Sequence, residues 1–250
     1  MKTAVVLGAT AGVGKAIIEQ LGCDYYATIG FHRGHYSTKS LRANRLVQHD
    51  ATDVEIGIEA VKSFLEDDEQ VNVLVHCITG ASVGSILTRT RDDVERTFNN
   101  LAHSFLEWVQ TLYLNEMLSP TARLIALSNP CPDFYLRNTG VIGAAKAALE
   151  AYVKMLAVEL GPSGVRVNCV RFGMVKTPAI EKVLSETALQ HMQKVNERLM
   201  PAGRMQTVED VAKTVKWLVS DNAYWLNGAI IDATGGCTST LMDAAFYGSR

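Results

Sequence analysis

The sequence predicts an α/β chain built on a doubly wound parallel sheet of about seven strands, flanked by helices on both faces. Three observations predict it. Short apolar runs alternate with helix-length amphipathic segments along the chain. A glycine-rich turn, Gly8-Ala9-Thr10-Ala11-Gly12-Val13-Gly14, follows the first apolar run and opens a helix. The 250 residues hold no repeat, low-complexity stretch or long linker, which suits one domain over 1–250 with a sizeable core.

Thr3 to Leu7 reads as the first strand, and the helix after the glycine turn runs to about Leu21. Glycine lets the backbone turn tightly and approach a pyrophosphate, and a helix N-terminus favours negative charge. The strand, turn and helix in this order make the fold Rossmann-type. Tyr25 to Gly30 is the second strand, followed by Phe31-His32-Arg33-Gly34-His35. In such a fold an acid here holds the ribose of NAD, whereas a basic residue accommodates the phosphate of NADP. His32 and Arg33 stand here without an acid, which favours NADP(H), with NAD(H) possible. His32 and His35 lack a third ligand, so no metal site is expected.

Arg45 to Gln48 is the third strand and leads into His49-Asp50-Ala51-Thr52-Asp53. Asp53 stands where it can cap a helix that carries Val54, Ile58, Val61 and Leu65 on one face. Val71 to Val75 is the fourth strand, and His76 after it reads as a hydrogen-bonded structural histidine. A long helix is expected from Arg91 to Met117, striped by Val94, Phe98, Leu101, Phe105, Trp108 and Leu112. Arg123 to Leu127 is the fifth strand and ends in Ser128-Asn129-Pro130, a turn whose side chains can bond a substrate oxygen. The loop beyond it adds Cys131, Asp133, Tyr135 and Arg137 as further cleft residues.

Residues 138–161 form the most informative helix. Ile142, Ala145, Leu149, Tyr152, Leu156 and Leu160 recur at helical spacing, and Gly161-Pro162 stops the run. The small residues Gly143 to Ala148 allow another helix or backbone to approach closely. Val165 to Val170 is the sixth strand, followed by Arg171-Phe172-Gly173-Met174-Val175-Lys176-Thr177-Pro178. A helical segment at about 179–200 covers the substrate cleft. A helix over 208–219 and a strand over 228–232 complete the pattern, and the tail 237–250 is available for a subunit contact.

Composition narrows the partners. Hydrophobic residues make up 48% and charged residues 20%, ordinary values for a globular protein. A net charge of −2 gives no reason to expect nucleic acid or an anionic membrane as partner. No apolar run reaches the roughly 18–20 residues of a membrane span. The first residues read as a structural strand rather than a signal peptide. The five scattered cysteines lack metal-type spacing and read as free thiols of a cytoplasmic protein.

The helix at 138–161 resembles the active-site helix of the short-chain dehydrogenase/reductase family, in which a Tyr precedes a Lys by four residues. Lys146 is the Lys, and Ile142 stands in place of the Tyr. The glycine turn resembles the family's cofactor loop, and Gly173, Val175 and Thr177 match its loop after the sixth strand, with Phe172 in place of a Pro. The family's Asn-Asn-Ala-Gly is absent from 76–79. The resemblance covers the chain to about residue 236. It implies cofactor contacts at Gly8, Thr10, Gly12, Val13 and Gly14, at Asp50 and Ala51 beside the adenine, and at Lys146, Gly173, Val175 and Thr177. It implies a water-holding role for Asn100 near Lys146 and a substrate ligand at Asn129 or Ser128. It also implies a homo-oligomer, a tetramer or a dimer, with the long striped helix and the active-site helix at the subunit interface. Residues 143–151 resemble enoyl reductases of the same superfamily, whose Tyr lies seven residues before the Lys, where this chain has Thr139.

A ketone becomes an alkoxide on reduction and needs a proton at once, so the missing phenol weighs against it. Conjugate reduction yields a delocalised enolate that hydrogen-bond donors stabilise. The expected activity is therefore NADP-dependent reduction of a conjugated C=C in a small molecule. Tyr135, eleven residues before Lys146, is the candidate substitute donor. The alternatives are a carbonyl reductase using Tyr135, Ser128 or water, and a non-catalytic dinucleotide-binding partner subunit.

Overall fold

The computed structural model describes residues 2–22, 24–25, 27–34, 45–66, 68–134, 136–182 and 184–238. Seven strands form one parallel sheet, in the order β3-β2-β1-β4-β5-β6-β7. They are β1 (Thr3–Leu7), β2 (Ala27–His32), β3 (Arg45–Gln48), β4 (Val71–His76), β5 (Leu118–Ser128), β6 (Arg166–Phe172) and β7 (Ile230–Ala233). The helices are α1 (Gly12–Leu21), α2 (Val54–Lys62), α3 (Arg91–Phe98), α4 (Ser104–Leu114), α5 (Gly140–Leu160), α6 (Pro178–Glu181), α7 (Glu186–Leu199) and α8 (Val208–Leu218).

The strands alternate between two cores because successive side chains leave a strand on opposite faces. Val5 and Leu7 of β1 join Phe105 and Trp108 of α4 and Leu149 of α5. Ala4 and Val6 join Ile17 of α1 and Val215 of α8 on the other face. Strand order reverses between β1 and β4, and the crevice beyond the C-terminal ends of these strands is where such sheets bind ligands.

Three expectations are corrected. The second strand begins at Ala27, because the amides of Asp24 and Tyr25 still bond back to Leu21 O, so the chain is turning there. His32 therefore lies within the strand and Arg33 is the first residue beyond it. Asp53 occupies the N-cap position of α2, but its side chain makes no capping bond. The long helix runs on from Arg91 but ends at Leu114 rather than Met117, and a π-helical turn, Asn99–His103, joins α3 to α4 within it.

The stripe on that helix has a different role from the expected one. Leu101, Phe105, Trp108 and Leu112 are buried inside this same chain. Phe105, Trp108 and Leu112 belong to the core under the sheet and are not a face for a second subunit. Trp108 also donates from Nε1 to Ala51 O at 2.6 Å, which fixes the turn after β3. Only a glycine fits at position 57, because a Cβ there would lie 2.5 Å from the Trp108 ring. The tail residues 239–250, His35 and Cys23 lie outside the described residues. Cys77, Cys131 and Cys169 are free thiols.

Candidate active site

A cleft of about 320 Å³ opens at the strand-order reversal, within the size range of small-molecule sites. Gly8, Thr10, Ala11, Gly12 and Val13 line one wall. This wall suits a diphosphate. Gly8 has φ +86°, and a Cβ there would lie 2.6 Å from Cys77 O. Gly12 has φ +51° and packs its backbone against the Thr177 side chain. The turn therefore needs glycine, and it aims the N-terminus of α1 at the cleft. Gly14 does not line the cleft. A Cβ on it would sit 2.0 Å from Gly8 O, so it allows the helix to pack on its own turn.

His32, Arg33, His49, Asp50 and Ala51 line the end beside β2 and β3. Arg33 Nη2 donates to Thr79 O at 3.3 Å, and Nη1 lies 3.7 Å from Asp50 Oδ2. Arg33 thus meets an acid after all, supplied by the next strand end and not by its own. Asp50 Oδ1 accepts from Thr52 N at 3.1 Å and Thr52 Oγ1 at 2.9 Å, so the aspartate also shapes its turn. His49 is a cleft residue that the sequence reading passed over. It holds the place after β3 that Arg33 holds after β2, and strand ends are where this fold puts its ligand contacts.

Gly173, Val175 and Thr177 line the opposite wall with Phe172, Met174 and Ile180. Gln206 staples this loop. Its Oε1 accepts from Gly173 N at 2.8 Å, and its Nε2 donates to Ala233 O at 2.7 Å. Thr177 Oγ1 accepts from Ile180 N at 3.4 Å and caps α6.

The expected catalytic residues divide. Asn129 lines the cleft. Its Oδ1 accepts from Cys131 N at 3.0 Å, which leaves the Nδ2 donor as the group it can offer. Ser128 points away. It is buried, and its hydroxyl donates to Glu150 Oε1 at 2.7 Å. Asn100 is buried in the π turn, and its Nδ2 donates to Gly80 O at 2.6 Å. Lys146 is buried behind the cleft wall, with Nζ donating to Leu127 O at 2.6 Å. Ser128, Asn100 and Lys146 are therefore not wall residues of the cleft; each is buried with a polar atom bonded to another protein group. Tyr135 lies outside the described residues. Ile142 sits one turn before Lys146 on α5, half-buried.

Burial dominates the electrostatics here. It holds the Lys146 ammonium below the usual lysine range. It pushes the Cys77 thiol up to about 12, so this cleft thiol stays protonated. His76 is driven down to about 3 by burial and then by the Lys146 charge. Its Nε2 lies 2.8 Å from Ser104 Oγ, in keeping with a neutral structural histidine. The small-residue run on α5 admits a turn rather than a helix, since a Cβ on Gly143 would lie 2.7 Å from Cys131 O.

A family model described as Enoyl-(Acyl carrier protein) reductase matches residues 9–238. A cyclohexanol dehydrogenase of Rhodococcus sp. (strain TK6) is 29% identical, with 95% of this chain and 96% of that protein covered. The enoyl-[acyl-carrier-protein] reductase [NADH] FabI of Escherichia coli (strain K12) is 30% identical over 155 residues, 62% of this chain and 57% of that protein. The crystal structure of a short chain dehydrogenase family protein from Francisella tularensis superposes with a TM-score of 0.83 at 21% identity, covering 96% of this chain and 99% of that one.

Proposed function

The chain belongs to the short-chain dehydrogenase/reductase family of oxidoreductases, and from that premise we propose that it is an NADP-dependent reductase of a conjugated C=C in a small molecule. The observation that carries this reading is Ile142 one turn before Lys146, together with a cleft that no tyrosine lines among the described residues. An alkyl group cannot protonate an alkoxide. The enolate of a conjugate reduction asks only for hydrogen-bond donors, with carbon protonated later by water. The family model's enoyl reductase description supports the same direction.

Bound NADPH supplies the hydride. The glycine wall and the α1 N-terminus would hold its diphosphate, and Arg33, with His32 and His49 beside it, would hold the 2′-phosphate. The Val175 backbone and the Thr177 hydroxyl would hold its carboxamide. Asn129 donates from Nδ2 to the acceptor's oxygen, and Tyr135 is the second candidate donor. Lys146 acts from behind the wall, on the Leu127 carbonyl that leads into Ser128 and Asn129. Phe172 and Met174 keep the reacting end apolar. NADPH oxidation against paired enones and saturated ketones, with product analysis, tests the reading. The carbonyl-reductase alternative draws support from the cyclohexanol dehydrogenase relative and requires an acid such as Tyr135 or water.

Arg33→Ala is expected to weaken NADPH binding about 10–100-fold and to leave NADH binding nearly unchanged. This is the range of one lost charge-assisted bond pair to a phosphate. Fluorescence titration checks it, and equal losses for both cofactors contradict the assignment of Arg33.

We also propose a homo-oligomer, a dimer or tetramer, through the outer face of α5, the active-site helix. Met155 and Val158 are 58% and 72% exposed there, in line with exposed Ala144, Ala147 and Ala151. Val158→Asp is expected to lower the mass seen by light scattering, and a monomeric wild type at micromolar concentration contradicts the assembly. Among the described residues no helix is long and apolar enough to cross a membrane.

A further inference from the structure

The ends of β5 and β6 carry a charge network that the chemistry above leaves without a role. Ser128 and Arg171 are register partners across these strands. Arg171 Nε donates to Glu150 Oε1 at 2.7 Å, and Nη2 donates to Glu150 Oε2 at 2.5 Å. With Ser128 on the same carboxylate, Glu150 accepts three bonds. The remaining Arg171 nitrogen, Nη1, donates to Asp133 in the turn that follows Asn129.

We propose that Arg171 is a positioning residue, anchored on Glu150 and holding the 129–134 turn through Asp133, so that Asn129 stays at the reacting end of the cleft. The proposal rests on the reading above, in which Asn129 bonds the acceptor oxygen. The two carboxylates have different environments. The Glu150 side chain is 6% exposed and fixed on α5, whereas that of Asp133 is 54% exposed. Glu150 is therefore the anchor, and Asp133 is the end that can let go. Among the described residues the turn is otherwise closed by its own bonds, Cys131 N to Asn129 Oδ1 and Asp133 N and Phe134 N to Pro130 O, and by contact of Cys131 O with Gly143. Neither of these ties it to β6. Arg171 directly precedes Phe172 and Gly173, which line the cofactor wall. One guanidinium thus links that wall, the active-site helix and the turn that carries Asn129. The planar fork suits this task, because it can grip Glu150 with two nitrogens and still offer the third.

Asp133→Asn, Asp133→Glu and Arg171→Lys separate the possibilities, with hydrogen exchange of the NADPH complex, melting temperature, NADPH affinity and steady-state kinetics on 2-cyclohexen-1-one as readouts. For Asp133→Asn the expected result is exchange about two- to fivefold faster in 131–138, the range for one half-exposed ion pair. The KM for cyclohexenone rises, while NADPH affinity and melting temperature stay at wild-type values. Asp133→Glu restores the protection, and Arg171→Lys loses it. Unchanged exchange in 131–138 for both Asp133→Asn and Arg171→Lys overturns the proposal, as does a lower melting temperature with KM unmoved. If the wild type leaves cyclohexenone untouched, the enone reading falls, and the exchange data alone decide whether Arg171 holds the turn.

Discussion

Ile142→Tyr is expected to raise ketone reduction by about 10²–10⁴-fold over the wild type, the usual contribution of a positioned general acid. Positions 142 and 146 share a face of α5, so the new phenol rises on the Lys146 side of the helix. The cation behind it favours the phenolate and so lowers the phenol's pKa. The substitution adds one group and removes none of the cleft contacts, since Ile142 is not a wall residue. Enone reduction should change far less, because its charge is delocalised before any proton arrives. Parallel kcat/KM values for cyclohexanone and 2-cyclohexen-1-one measure the effect. A ketone rate that does not rise in the folded variant would mean that another group already supplies the proton.

Glu150→Ala is expected to have the largest effect on stability. The carboxylate is nearly enclosed and accepts from Ser128 and from two nitrogens of Arg171. Its bonds to Glu150, foremost among the causes, hold the Arg171 guanidinium more basic than usual. Removing one partner of a buried pair costs about 3–5 kcal/mol, and here the guanidinium would keep only the half-exposed Asp133 as counter-ion. At this chain length that lowers the melting temperature by roughly 6–20 °C. Thermal unfolding followed by circular dichroism checks it. Glu150→Gln keeps the shape and the Ser128 bond, and it should lie between Ala and wild type. A melting temperature unchanged in Glu150→Ala would show that solvent screens the pair more than its burial implies.

Thr3–Leu7 and Arg45–Gln48 were legible to the residue, because each apolar run ends at a glycine or at polar turn residues. The glycine turn was legible because its chemistry is local. Ser128 and Asn129 were not separable. The pleat of β5 sends neighbours to opposite sides, so one meets Glu150 and the other the cleft. Spacing from Lys146 could name the pair but not assign their directions. The stripe from Val94 to Leu112 was correctly read as apolar, yet periodicity does not say whether an apolar face meets its own sheet or a second chain. The π turn at Asn99–His103 left no mark in the pattern. The Glu150–Arg171–Asp133 network joins residues 21 and 38 apart in the chain. Parallel register brings them together, and only the folded sheet reveals it.

If the missing phenol selects conjugate reduction, the position of transferred deuterium reveals it. The measurement uses NADPH labelled at the transferring position, an enone as acceptor, and NMR of the product. Conjugate reduction places deuterium on the β-carbon of a saturated ketone. Deuterium on a carbinol carbon, with the C=C intact, would contradict it and identify a carbonyl reductase.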